Sequence, residues 1–239
     1  MPTHDDERVL ITGGARGIGA AIAQRCRDDG YTPVILDRDG DGPEVVHCDL
    51  SNTDSTAEAL RRVLADGPIT RIVNNVGTVF PHFLEEQTLD EFDRAIALNL
   101  RSAFQCTQAL IPGMTEKHFG RIVSVSSRAA LGKTGRTAYA ATKAGILGAT
   151  RVWALELGRR GITANAVAPG PIATDLFADA NPADAPRTHQ IIDNIPVGRM
   201  GTPEDVAHSV SFFLDDRSGF TTGQTSYVCG GLTVGVADV

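Results

Sequence analysis

Cysteine is scarce in this chain. Its four residues (Cys26, Cys48, Cys106 and Cys229) are scattered, with no Cys-x-x-Cys and no other metal-ligand spacing. Reduced thiols follow, consistent with a cytoplasmic compartment, and no metal site is expected. Long apolar runs are missing too: nothing approaches the ~18 residues of a membrane-spanning helix. The start, Met1-Pro-Thr-His-Asp-Asp-Glu7, is a short polar lead-in without the apolar stretch of a signal peptide. Positive charge is in deficit, 22 Lys and Arg against 29 Asp and Glu, for a net charge of −7. That argues against a nucleic-acid or anionic-membrane partner. No Gly-x-Ser-x-Gly elbow is present, which removes the hydrolase reading. Internal repeats, low-complexity tracts and linkers are also absent.

What remains is globular. With 42% hydrophobic and 21% charged residues in 239, the chain sits near the averages of folded proteins and can bury a sizeable core. Short apolar runs at 9–11, 33–36, 45–46, 69–74, 121–125, 163–167 and 224–228 read as strands. Helical patterns lie between them: from the first glycine segment to near Gly30, over 53–65, from Thr88, to about Gly158, and from Thr202. Strands alternating with helices imply βαβ units and a parallel sheet covered on both faces. The expectation is one α/β domain over residues 1–239. Residues 175–196, rich in Ala, Asp and Pro without clean periodicity, are expected to form a substrate lid.

Three local patterns carry chemistry. After the first strand, Gly13, Gly17 and Gly19 open a helix, where bare backbone and unpaired N–H groups suit a pyrophosphate. Asp37 closes the second strand 18 residues beyond Gly19, near the ~20-residue offset of an acid that bonds an adenosine ribose. A carboxylate there repels a 2′-phosphate and argues for NAD, whereas Arg16 and Arg38 leave NADP open. Further on, Tyr139 and Lys143 lie four apart on an Ala-rich helical segment and share a face. An ammonium beside a phenol lowers the phenol's pKa. Upstream, Thr88-Leu-Asp-Glu91 spells a capping box, and the apolar stripe after it (Phe92, Ala95, Ile96, Ala103) is interrupted by Asn99. A buried amide needs partners or a functional cavity.

Taken together, these residues resemble the short-chain dehydrogenase/reductase family over essentially the whole chain, Val9 to Val234. Thr12-Gly-x-x-x-Gly-x-Gly19 is similar to its cofactor loop, and Asn74-Asn75-Val76-Gly77 to its Asn-Asn-Ala-Gly motif with Val for Ala. Segments 196–205 and 222–231 also look like its C-terminal pattern. The resemblance implies a Rossmann-like doubly wound sheet. It assigns Asn99, a Ser, Tyr139 and Lys143 to a catalytic tetrad. It gives Gly13, Arg16, Gly17, Ile18, Gly19, Asp37, Asp49, Leu50, Asn75, Val76, Gly77, Tyr139, Lys143, Pro169, Gly170, Ile172 and Thr174 to the cofactor. The usual thirteen-residue offset before the Tyr selects Ser126. Counting from the strand's Gly120-Arg121 entry selects Ser127, which is preferred because strand register is constrained and loops absorb deletions.

The resemblance implies hydride transfer between NAD(H) and the carbonyl or secondary alcohol carbon of a small compound. Tyr139 is the proton donor or acceptor, Ser127 bonds the substrate oxygen, Lys143 lowers the Tyr139 pKa and holds the ribose, and Asn99 holds a water for Lys143. It also implies a homotetramer. Phe80, His82, Phe83, Arg128, Phe177 and His189 are candidate pocket walls. The alternative is an NADPH-dependent 3-oxoacyl-[acyl-carrier-protein] reductase, which Asp37 and the lack of a Lys/Arg cluster weaken. A cofactor-binding scaffold without catalysis is disfavoured by the complete tetrad.

Overall fold

The computed structural model describes residues 7–182 and 185–234. The polar lead-in, up to Asp6, and the two lid residues 183 and 184 lie outside them. Seven strands are present: β1 (Arg8–Thr12), β2 (Thr32–Asp37), β3 (Val45–His47), β4 (Arg71–Asn74), β5 (Gly120–Val125), β6 (Ile162–Pro169) and β7 (Thr225–Val228). The helices are α1 (Gly17–Asp28), α2 (Thr53–Leu64), α3 (Leu89–Ile96), α4 (Ser102–Glu116), α5 (Thr137–Leu157), α6 (Asp175–Ala180), α7 (Pro186–Asp193) and α8 (Pro203–Leu214). All strands are parallel, in the order β3-β2-β1-β4-β5-β6-β7.

The period-2 alternation of the strands builds two cores. On one face Val9, Ile11, Val73 and Val123 pack with Ile22 and Ala23 of α1 and with Val206, Val210 and Phe213 of α8. On the other, Leu10, Ile72 and Ile122 pack with Leu60 and Val63 of α2, Leu110 and Met114 of α4 and Leu157 of α5. Both faces are dry, which is why the strands read as near-continuous apolar runs. Strand order reverses between β1 and β4, and such a switch point opens a crevice at the C-terminal strand ends. The loops after β1, β4, β5 and β6 all leave the sheet at that end.

Two expected elements differ. The stripe from Phe92 to Ala103 suggested one regular helix. The chain instead enters through the Thr88–Glu91 capping box, runs through α3, and passes a π-helical turn at Ala97–Arg101 before α4. A π turn inserts an extra residue and re-aims the side chains within it, often at functional sites. Asn99 sits in that turn and is buried. Residues 175–196, expected without periodicity, contain α6 and α7. Thr174 caps the first by accepting the Phe177 N–H, and Pro186 opens the second.

The far end of the sheet carries a feature with no local signature. Arg71, the first residue of β4, is fully buried between the rings of Tyr31 and Phe119, at 4.8 and 4.6 Å, and pairs with Glu7 and Asp216. Its register partner Arg121 also stacks on Phe119, at 4.2 Å, and donates to the carbonyls of Asp215 and Asp216. The two guanidinium groups fasten the chain leaving α8 to the bottom of β4 and β5.

Candidate active site

The glycine loop is built by close approach. A Cβ on Gly19 would stand 2.0 Å from the Gly13 carbonyl oxygen, and one on Gly13 would stand 2.9 Å from Val76 Cα. Gly13 and Gly17 have φ of +68° and +54°, the left-handed region that glycine occupies without strain. Asn75 braces the loop, donating its Nδ2 to the carbonyls of Thr12 and Gly13 at 3.1 and 2.8 Å. The Thr12 hydroxyl accepts the N–H groups of Asn75 and Val76. Arg16 gives α1 no side-chain cap, and its first turn holds no acid, so that helix end keeps unpaired N–H groups and an uncompensated positive field.

Around the loop stand the acids. Asp37 accepts the Ala15 N–H at 2.9 Å and the Asp39 N–H at 3.1 Å. Arg16 and Arg38, the two cations that kept NADP open, both lie against Asp39, at 3.8 and 3.3 Å. Asp49 accepts the hydroxyl and N–H of Ser51, bonds that hold its carboxyl below the usual range. Leu50 is buried beside it. Ile18 packs against the α1 face of the core. Thr174 lies next to Gly17, its methyl 3.7 Å from where a Cβ there would be. Gly170 packs against Cys229 after β7, and Ile172 buries its side chain against Gly201. Pro169 ends β6.

At the end of β5 the two serines part. Ser126 is buried and donates to the Lys143 carbonyl oxygen at 2.7 Å. Ser127 stands close enough to Tyr139 for its hydroxyl to act on the phenol, and it accepts the Ala129 N–H. Successive residues of an extended chain point to opposite sides, so only Ser127 faces the phenol. Packing around Tyr139 pushes its pKa above 10.0, and the Ser127 hydroxyl and the charge of Arg136 pull against that rise. The lowering expected from Lys143 is not found: the net shift is upward, because burial outweighs the groups that favour phenolate. The Lys143 ammonium stands 5.7 Å from the Tyr139 ring centroid and donates to the Val125 carbonyl oxygen at 2.7 Å. Its own charge is destabilised by burial.

Asn99 reaches this cluster from the π turn. Its Oδ1 accepts the Thr78 N–H at 2.7 Å; its Nδ2 donates to the Thr78 carbonyl at 2.9 Å and to the Thr142 hydroxyl at 3.1 Å. Both amide hydrogens are taken and the oxygen keeps one acceptor site, so the side chain clamps the peptide after Gly77. Gly77 lies between them: a Cβ there would be 3.3 Å from Lys143 Nζ and 3.4 Å from Asn99 Oδ1. Of the wall candidates, His82 pairs with Glu91 and Arg94 stacks on Phe80 at 5.0 Å. Phe83 and His189 are exposed, while Arg128 and Phe177 are half-buried. Sequence reasoning passed over Thr142 and Gln87. A Thr inside an Ala-rich helix is a weak signal; Gln87 gives none, because the partner that ties it to the site, Ala138, is 51 positions away.

Comparison with known proteins agrees with this geometry. The family model described as enoyl-(acyl carrier protein) reductase matches residues 13–233. The (2S)-[(R)-hydroxy(phenyl)methyl]succinyl-CoA dehydrogenase subunit BbsD of Thauera aromatica is 38% identical over 93% of this chain and 94% of its own. The chain belongs to the short-chain dehydrogenase/reductase family. An acetoacetyl-CoA reductase of Rhizobium meliloti is also 38% identical, over 93% of this chain and 96% of its own. Among solved structures, a putative NAD(P)-dependent gluconate 5-dehydrogenase of Beutenbergia cavernae with bound NADP superposes with a TM-score of 0.91 at 30% identity. It covers 98% of this chain and 99% of that one.

As a short-chain dehydrogenase/reductase, the protein is an NAD(P)-dependent oxidoreductase that acts on a hydroxyl-bearing or carbonyl carbon. The residues present fit that cofactor: the cradle from Gly13 to Gly19 has no room for a side chain at Gly19, and the α1 end above it is left without a cap. No described helix is long and apolar enough to cross a membrane.

Lys143 gives this dehydrogenase/reductase a measurable pH dependence of stability. Burial lowers its pKa from 10.5 to about 8. The folded value lies below the unfolded one, so charging Lys143 opposes folding. That penalty is fully present below about pH 8 and fades as the pH rises toward 10.5. Wild type should therefore gain stability relative to Lys143→Met across that window, by at most ~1.4 kcal/mol per pH unit. Paired urea unfolding curves across the window check this; a constant difference would contradict a buried charge.

Proposed function

We propose that the enzyme uses NAD(H) to interconvert a hydroxyacyl and an oxoacyl thioester of coenzyme A. The observation that carries the chemistry is the meeting of Ser127, Tyr139 and Lys143 past the end of β5, with Asn99 tied to the same helix through Thr142. The two relatives at 38% identity bear the names of enzymes acting on coenzyme A esters, which supports the substrate class.

When bound, the nicotinamide supplies or accepts the hydride. In reduction Tyr139 gives its phenolic proton to the substrate oxygen, and in oxidation its phenolate takes that proton back. Ser127 donates a hydrogen bond to the same oxygen, fixing it against the phenol. Lys143 holds the nicotinamide ribose. Asn99 holds the Thr78 peptide and, through Thr142, the first turns of α5. Gly13 to Gly19 hold the pyrophosphate, Asp49 and Leu50 the adenine side, and Asn75 to Gly77 with Pro169, Gly170, Ile172 and Thr174 the nicotinamide half. The whole chain acts as one catalytic domain, with 175–196 as its lid.

NAD rather than NADP is supported by Asp37. Its carboxylate is fixed by two backbone N–H groups, and Asp39 already takes both nearby arginines. Asp37→Asn keeps an oxygen for the Ala15 N–H and removes the charge. The ratio of kcat/KM for NADH over NADPH should fall about tenfold or more, the result of removing one close like-charge repulsion. An unchanged ratio would detach Asp37 from cofactor choice.

A homotetramer in the cytoplasm is part of the reading. Exposed Phe104, Val152 and Leu155 on α4 and α5, and Phe212 on α8, suit two apolar contacts; light scattering tests the assembly. The deciding assay measures oxidation of NADH and NADPH with acetoacetyl-CoA, an acyl-carrier-protein thioester and a panel of small ketones. Preference for acetoacetyl-CoA with NADH supports the reading. Preference for the carrier thioester with NADPH would replace it by the acyl-carrier-protein reductase.

A further inference from the structure

We infer that Gln87 is a positioning residue for Tyr139, tying the loop after β4 to the first turn of α5. The inference rests on Tyr139 being the proton donor.

Helix α5 begins at Thr137, and Arg136 before it supplies no side-chain cap. The first N–H groups of such a helix need partners from elsewhere. Gln87, 51 positions upstream, provides one: its Oε1 accepts the Ala138 N–H at 3.0 Å. The other end of the same amide donates to the Phe80 carbonyl at 3.4 Å, and the Gln87 N–H donates to the Phe83 carbonyl at 3.0 Å. Directly after it, Thr88 opens α3 through its capping box with Glu91, and Glu91 also holds His82. One half-buried amide thus spans two backbones, the pocket-side loop and the residue preceding Tyr139.

The other flank of Tyr139 is held in the same manner. Its carbonyl accepts the Thr142 hydroxyl at 2.9 Å, and that hydroxyl accepts from Asn99, which clamps Thr78 at the start of the same loop. The loop is therefore joined to Tyr139 at both of its ends, by Asn99 and Thr142 near Thr78 and by Gln87 near Thr88. A displacement of the loop moves the turn that carries the phenol.

A plain helix cap would act on stability alone. The two roles separate in Gln87→Leu, which removes both arms of the bridge, and Gln87→Glu, which keeps the acceptor for the Ala138 N–H, gives up the donor to Phe80 and adds a negative charge at the first turn of α5. Gln87→Leu should lower kcat about tenfold with the cofactor KM unchanged, the scale expected of a small misplacement of a reacting group. Gln87→Glu should restore part of that loss, through the Ala138 bond alone, and shift the Tyr139-controlled limb of the kcat pH profile for alcohol oxidation to higher pH, because an anion on the same turn opposes phenolate. The inference is overturned if both variants keep the wild-type kcat and pH profile. It is also overturned if both lose activity only in proportion to folded protein. Should Gln87→Leu fail to fold, the pH shift in Gln87→Glu decides. Tyr139→Phe is run in the same assay: retained turnover there sinks the Tyr139 reading and this one with it. An inactive Tyr139→Phe beside unaltered Gln87 variants sinks this one alone.

Discussion

Tyr139→Phe is expected to lower kcat by about 10³-fold while cofactor affinity stays within about twofold of wild type, since positioned proton transfer contributes 10²–10⁴. The substitution removes one oxygen and leaves the ring. That ring is what the Lys143 ammonium faces at 5.7 Å, and the ammonium keeps its bond to the Val125 carbonyl. Among the described residues no hydrogen bond or ring contact joins the glycine loop or Asp37 to Tyr139, so binding of the adenine and pyrophosphate halves is expected to persist. Ser127 keeps the bond it accepts from the Ala129 N–H. A loss of 10³ corresponds to ~4 kcal/mol of transition-state stabilisation. Steady-state kinetics beside a direct cofactor titration check both halves. Turnover within tenfold of wild type would show that another group moves the proton.

Gly19→Ala should abolish measurable cofactor binding, a loss of at least about 10² in affinity, and destabilise the fold by ~1–3 kcal/mol, the usual cost of overpacking. The argument is steric. The new methyl falls 2.0 Å from the Gly13 carbonyl oxygen and 2.7 Å from Asn75 Nδ2. Neither can yield cheaply: the oxygen belongs to the backbone, and Nδ2 is engaged with the carbonyls of Thr12 and Gly13. Relief requires the loop after β1 to lift and Asn75 to release it, which spreads the damage to the loop after β4. Both loops line the crevice that must receive the cofactor. Fluorescence titration with NADH and a urea midpoint read the two effects; normal binding would mean that the Gly13 peptide can move without consequence.

Much of this site was legible before any coordinates, and for a common reason. Gly13, Gly17 and Gly19 are spaced within one turn, Tyr139 and Lys143 within one helical repeat, and Thr88 and Glu91 within one capping box. Each is a local relation that the chain states directly. Asn99 was visible as an amide on an apolar stripe, but the π turn that aims it was not, because one inserted hydrogen-bond step leaves no composition signal. The lid shows the same limit: α6 and α7 are short, and their ends are set by Thr174 and Pro186 more than by periodicity.

Other features depended on which distant segments meet. Both serines carry the same hydroxyl, and only the pairing of β5 with its neighbours turns Ser127 to Tyr139 and Ser126 to the Lys143 carbonyl. Arg16 and Arg38 carry no sign in the sequence of the exposed Asp39 carboxylate that lies against them both. Lys143 was expected to act on the phenol beside it, yet burial decides its charge and the Val125 carbonyl its direction. Gln87 meets Ala138 across 51 positions, and Arg71 meets Asp216 across 145. The sequence by itself determined the alternation of strands and helices, the glycine cradle and the Tyr–Lys pair, since each rests on short-range periodicity and spacing. Tertiary structure alone decided which serine faces Tyr139, where the buried cations point and what flanks that tyrosine, because hydrogen-bond partners and burial are properties of segments brought together by the sheet.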